Sequence, residues 1–369
     1  MVKKVLPIFL TIMLSFMLLV GCDDTTDDNG ATPAPGNETP TPNNEGKDGD
    51  ATTITKIGLG HVNSIAKSKD FADDVLPFGQ VDTIIAAVAF GKNDKIVKVS
   101  IDSAQQKITF DKEMKITTDL AKEQVTKVEL GDEYGMIAAS KIGKNWYEQI
   151  AELEKWMIGK TINEISSLKT KQVDESHPSV PDIPELTSLV TITVQDYIAA
   201  VEEAYENAVN ITEGASTFGL GHNIKISGSK SLADNVTPVA AVDTTMAATA
   251  FDNNGKVVGT IIDVMQTKVN FDAEGKVTNR DAILKSKIEI GDEYGLIAAS
   301  GIKKNWHEQI AELEKWMVGK TVKEIKAMKT VERDSSHPAV PDEPDLTSLV
   351  TITVQDYIAA VEEGQENAK

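Results

Sequence analysis

A chain of 369 residues, 41% hydrophobic and 25% charged, carries enough apolar material for two domains of ordinary size, each with a buried core. Its 57 acidic residues outnumber 37 basic ones and leave a formal net charge of −20, an acidic surface that repels phosphate backbones and argues against a nucleic-acid partner. The one cysteine, Cys22, excludes a disulfide within the chain and any metal centre built on several thiolates.

At the N-terminus, Lys3 and Lys4 precede an apolar run from Val5 to Val20 that closes on Leu19-Val-Gly-Cys22. A short apolar run with a basic flank and small residues before the cut predicts a secretory signal over residues 1–21 rather than a spanning helix. The ending resembles a lipobox. That likeness implies that Cys22 becomes the lipidated first residue of a protein held at the cell membrane on its extracytoplasmic face. From residue 22 to 54 the composition shifts to Asp, Thr, Pro, Asn and Gly, with almost nothing to bury, so a solvated tether is expected. A flexible coil of that length has an end-to-end spread on the order of 30 Å.

The remainder is one unit written twice. Gly58-Leu-Gly-His61 recurs as Gly219-Leu-Gly-His222, a shift of 161 (219 minus 58), whereas Gly131-Asp-Glu-Tyr-Gly135 recurs as Gly291-Asp-Glu-Tyr-Gly295, a shift of 160 (291 minus 131). One residue is therefore lost between Asp111 and Gly131, in a polar stretch read as a loop. A period this long marks duplicated domains, placed at 55–209 and 210–369, not a solenoid. In the first copy, Ile84–Phe90 is an apolar run, Gly91-Lys-Asn-Asp94 turns the chain, and Ile96–Ile101 and Lys107–Phe110 follow as two further strands. Trp146–Met157 has helical spacing behind Asn145 and ends at Gly159, and Thr161 with Glu164 caps a shorter helix. Residues 170–184 read as an extended surface linker. Each copy is thus predicted to be an α+β domain, an antiparallel sheet with its helices segregated from it.

Most of the chemistry-bearing residues have an ordinary reading. His61, His222, His177 and His337 are scattered, with no HxH or HxxxH spacing, so a structural or surface role is expected and no metal site. Gly58-Leu-Gly-His61 lacks the further residues of a phosphate loop and reads as a tight turn entering a strand. No serine sits in a nucleophile-elbow pattern. Trp146 and Trp156 read as core, and the Glu/Lys alternation from Glu148 to Lys155 as a solvated helix face.

One stretch stands apart. Leu186–Glu203 is repeated letter for letter as Leu346–Glu363. Its second half is amphipathic, with Val194, Ile198 and Val201 at helical spacing, and Thr193 with Asp196 predicts Thr193 as the N-cap. Its first half, Ser188-x-x-Thr191-x-Thr193, is a short hydroxyl-rich strand-like piece. In the second copy it follows an acidic residue, Asp345-x-x-Ser348-x-x-Thr351.

This pattern resembles the flavinylation site of the FMN-binding domain family, in which a threonine carries FMN through a phosphoester bond. The resemblance implies that Thr191 and Thr351 bear covalent FMN, that Ser188 and Ser348 and more weakly Thr187 and Thr347 assist, and that Asp82, Asp243, Tyr134 and Tyr294 line the ring pockets. Leu-Val stands here where the family has Gly-Ala. Signal, lipobox, tether and two such domains together resemble the flavinylated electron-transfer lipoproteins of Gram-positive bacteria. That architecture implies modification by a flavin transferase, reduction by a membrane quinone-linked dehydrogenase, and delivery of electrons to extracellular flavins or ferric iron, by a carrier rather than an enzyme in the strict sense. Without the motif, the alternative is a surface binding module that presents a ligand or peptide to a transporter or another cell-surface partner.

Overall fold

Three strands open each copy, and their apolar residues alternate between two partners. The computed structural model describes residues 53–72, 75–211 and 214–369; the leader, Cys22 and the tether as far as residue 52 lie outside the described residues. Strands β1 (Lys56–Ser64), β2 (Phe78–Phe90) and β3 (Ile96–Thr109) form an antiparallel meander. Then come α1 (Lys127–Leu130), α2 (Trp146–Met157), α3 (Ile162–Ser166), a two-residue hairpin β4 (Thr170–Lys171) and β5 (Val180–Pro181), α4 (Gln195–Glu206) and β6 (Val209–Asn210), which pairs with the start of β1. The series recurs as β7 (Thr217–Lys225), β8 (Val239–Phe251), β9 (Val257–Asn270), α5 (Lys287–Ile290), α6 (Trp306–Met317), α7 (Val322–Lys326), β10 (Thr330–Val331), β11 (Val340–Pro341) and α8 (Gln355–Glu366). The fold is mixed α+β with antiparallel sheets, and among the described residues no helix is long and apolar enough to cross a membrane.

Period-two alternation along β2 assigns each residue to a face. Ala86, Val88 and Phe90 point to α2 and α4 of their own copy, where Trp146, Ile150, Leu153 and Val201 complete a core. Ile85, Ala87 and Ala89 point the other way, onto Phe218, Leu220, Met246 and Ala248 of the second copy. Phe110 and Phe271 meet at 5.1 Å in a further shared core. The two sheets therefore lie face to face, and each has its helices on the outside.

The structure departs from the sequence reading in the strands and the linker. Ile96–Ile101 and Lys107–Thr109 belong to one strand, β3, because the polar residues between them are buried rather than looped out; Asp102, Ser103 and Gln106 are 6%, 3% and 5% exposed. Gly58-Leu-Gly-His61 lies within β1 and is no turn. Its glycines leave room for α4: a Cβ on Gly58 would overlap the carbonyl of Ala204, and one on Gly60 the carbonyl of Ala200. Residues 170–184 are not merely a linker, since β4 and β5 fold them into a hairpin. The capped helices do form where expected. Asn145 and Glu148 make a capping box on α2, and Thr161 and Glu164 make one on α3.

The expected solvated face of α2 is corrected at Glu154, while Lys155 stays exposed. Gln149 is fully buried, and a carboxylate oxygen of Glu154 accepts the Ile101 amide at 2.7 Å. Burial pushes the Glu154 carboxyl up to about 7 and its counterpart Glu314, which accepts the Ile262 amide at 2.7 Å, up to about 8. A carboxyl whose folded pKa is raised binds its proton more tightly when folded, so its contribution is complete below the unfolded value of 4.5 and is lost as pH rises through about 7 and 8. Glu154→Gln plus Glu314→Gln keeps an acceptor for each amide. Measured in chelator by urea unfolding, the double variant is expected to be the more stable protein at alkaline pH, by roughly 2–4 kcal/mol, and to lose part of the wild-type decline with pH. An unchanged pH dependence would contradict the assignment.

Candidate functional site

Thr191 is placed by a chain of local constraints. Leu186 and Val190 are buried, and the amides of Leu189 and Val190 both donate to the Leu186 carbonyl at 2.8 Å, so Leu186–Val190 is a tight turn and not the strand-like piece that its β-branched composition suggested. The Val194 amide donates to Ser179 O at 2.9 Å and ties the segment to the hairpin. Val194, fully buried, occupies the position before helix α4. Thr193 is therefore not the N-cap. Its hydroxyl and that of Thr353 are buried without a hydrogen-bond partner, and Thr191 lies further from the helix than the sequence implied.

The buried Gln149 holds Thr191 instead. Gln149 Oε1 accepts from the Thr191 amide at 2.8 Å and from Thr191 Oγ1 at 3.2 Å, while its Nε2 donates to the Lys144 carbonyl at 3.2 Å. Gln309 repeats this with Thr351 at 2.8 and 3.2 Å. With its proton directed to the amide oxygen, each threonine hydroxyl keeps its lone pairs for a reacting group. Nothing in the sequence singled out Gln149 or Gln309; the only available signal was an amide three residues after each tryptophan.

Thr191 lines a cavity of about 280 Å³ together with Thr187, Lys141, Lys171, His177, Met136 and Ile192. Thr351 lines one of about 320 Å³ with Thr347, Arg333, His337 and Ile302. His177 Nδ1 lies 2.8 Å from Asp174, whose carboxyl it holds below the usual range, and His337 and Asp334 repeat the pair at 2.9 Å. The two histidines read as surface residues thus stand in the threonine cavities. Thr187 Oγ1 donates to the Ile183 carbonyl at 2.6 Å and Thr347 Oγ1 to that of Glu343 at 2.7 Å, so both hydroxyls serve the turn. Ser188 and Ser348 are exposed and line neither cavity.

The other expected residues stand elsewhere. Asp82 accepts from Gln80 and Gln105, both at 2.9 Å, and pairs with Lys67 at 2.8 Å, in a groove of about 370 Å³ shared with Lys127, Thr193 and Tyr197. Asp243 lies in a hollow of about 80 Å³ with Lys287, Gln266 and Tyr357. Lys127 stands 4.9 Å from the Tyr134 ring and Lys287 5.1 Å from that of Tyr294, and Lys287 also acts on the Asp243 carboxyl. Burial brings Lys287 down to about 8, against the opposing pull of Asp243. The loop around His177 divides the two regions: His177 lines the Thr191 cavity, whereas Glu175, Ser176 and Pro178 line the Asp82 groove.

Comparison of the chain with models of protein families, with curated proteins and with solved structures found no match in any of the three.

Proposed function

We propose that each copy is an FMN-carrying module, with the flavin phosphate esterified to Thr191 in the first and Thr351 in the second, and that the chain is a lipid-anchored electron carrier on the extracytoplasmic face of a Gram-positive membrane. The observation that carries the reading is the matched pair of threonine hydroxyls, each clamped by a buried glutamine and open to a cavity. The donor set fits the group. Lys141, Lys171 and His177 around Thr191, and Arg333 and His337 around Thr351, suit a phosphate anion, while Met136, Val173 and Ile192 offer apolar contact. FMN supplies one- and two-electron chemistry when bound. The protein's residues fix the attachment point, balance the phosphate charge, and at the Asp82–Lys127 and Asp243–Lys287 grooves set the electrostatics within reach of each copy.

Cys22 and the tether would hold both modules near a membrane quinone-linked dehydrogenase, and extracellular flavins or ferric iron would take the electrons. Two carriers on one anchor raise the local concentration near the source. The test is the protein produced with and without a flavin transferase. Yellow protein whose mass is raised by two FMN groups, only when the transferase is present, is expected; colourless protein of unmodified mass under both conditions rejects the reading in favour of a ligand-presenting module.

A further inference from the structure

Between the two sheets, the structure brings together side chains that are far apart in sequence. His61, on the inner face of β1, has its Nδ1 3.5 Å from Glu203 of its own copy, while its Nε2 faces Glu289 at 3.8 Å and Asp263 at 3.9 Å, both from the other copy. The arrangement recurs in reverse: His222 Nε2 lies 3.1 Å from Glu363, 3.6 Å from Glu129 and 3.8 Å from Asp102. Each cluster thus takes groups from both halves of the chain. In each, one atom apiece from the histidine and the two glutamates fall within 4.8 Å of one another.

Two features set the His61 cluster apart from ordinary ion pairs; in the other, His222 Nε2 already meets Glu363 Oε1 at 3.1 Å. The His61 side chain is only 7% exposed, and its Nε2 has no hydrogen-bond partner although it points at two carboxylates. A buried nitrogen left without a partner is costly in a folded interior unless a bound group satisfies it. Second, the carboxylates are already oriented by other donors. Glu203 Oε2 accepts the His61 amide at 2.6 Å, Glu289 Oε2 accepts the Ser286 amide at 2.7 Å, and Asp263 Oδ1 accepts the Val264 amide at 2.7 Å, which leaves Oδ2 turned to the imidazole. Outer hydrogen bonds of this kind characterise ligands held for a metal. Three carboxyl groups crowd one imidazole here, and a divalent cation would offset the charge they carry.

We propose that each cluster binds one first-row divalent metal ion, with His61, Glu203 and Glu289 as ligands at one site and His222, Glu129 and Glu363 at the other, so that two ions clamp the halves of the chain together. One imidazole nitrogen and carboxylate oxygens suit zinc or manganese rather than a soft ion. Glu289 is 39% exposed, as is Glu129, which leaves each site an entry path. The inference is independent of flavin attachment.

The test is calorimetric titration of zinc chloride into the full-length protein after chelator treatment, alongside its melting temperature. Two equivalents and a higher melting temperature are expected. His61→Ala and His222→Ala should each remove one equivalent, and His177→Ala plus His337→Ala should remove none. Glu289→Gln, which preserves volume and an acceptor for Ser286, guards against misfolding and should weaken one site at least tenfold. Absence of saturable binding, or zinc that follows His177 and His337, overturns the proposal.

Discussion

Thr191→Ala is expected to remove one of the two covalent flavins and Thr351→Ala the other, with no flavin left on the double variant. Four hydroxyls lie close together in this segment of each copy, and their surroundings separate them. Thr187 Oγ1 is committed to the Ile183 carbonyl at 2.6 Å, and Ser188 is exposed outside the cavity, so alanine at either position should leave attachment intact. Thr193 is buried in the Asp82 groove, across the His177 loop. Thr191 alone combines a cavity-lining position with a hydroxyl held by Gln149 at 3.2 Å. Because that hydrogen bond needs an oxygen but no methyl group, Thr191→Ser should restore attachment. The readout is intact mass and peptide mapping after co-production with the transferase. Flavin retained by the double alanine variant, or mapped to Thr193, removes Thr191 and Thr351 from the assignment.

What the sequence made legible follows the range of the forces involved. Helices α2 and α3 were readable because a capping box spans four residues, Asn145 with Glu148 and Thr161 with Glu164, and its signal is local. The core face of α4 was readable for the same reason, from the spacing of Tyr197, Ile198, Ala200 and Val201. The failures lie where a distant partner decides. Asp102 and Gln106 resemble loop residues, yet β3 runs through them because the opposite sheet and α1 cover them; Asp102 Oδ1 accepts the Val128 amide at 3.2 Å. Thr193 satisfies the local rule for an N-cap but yields to Val194, whose amide is claimed by Ser179. The histidine clusters were invisible because His61 and Glu289 stand 228 positions apart (289 minus 61), and ligand-spacing rules see only neighbours. Thr191 and Thr351 were nominated by their pattern, whereas Gln149 and Gln309, which hold them, belong to no pattern.

Gly60→Val is expected to destabilise the protein by about 3 kcal/mol or more, a larger effect than that of surface substitutions. In β1 the glycine does not serve a turn. It lets the backbone of α4 lie directly on the strand, and a Cβ at this position would run into the carbonyl of Ala200 and the amide of Ala204. Backbone on both sides cannot move aside as a flexible side chain can, so α4 must lift as a unit. That displacement disturbs two distant features at once: Tyr197, whose hydroxyl accepts from Trp146 Nε1 at 2.9 Å, and Glu203, which accepts the His61 amide at 2.6 Å. Gly221→Val should act alike on α8, where the obstructing groups are the carbonyl of Ala360 and the amide of Gly364. Gly301→Ala is the control, since nothing lies within 4 Å of a Cβ there, and it should stay within about 0.5 kcal/mol of wild type. Urea unfolding of the three variants in chelator decides the matter. A Gly60→Val midpoint equal to that of Gly301→Ala would mean that the repeated glycines do not set the distance between strand and helix.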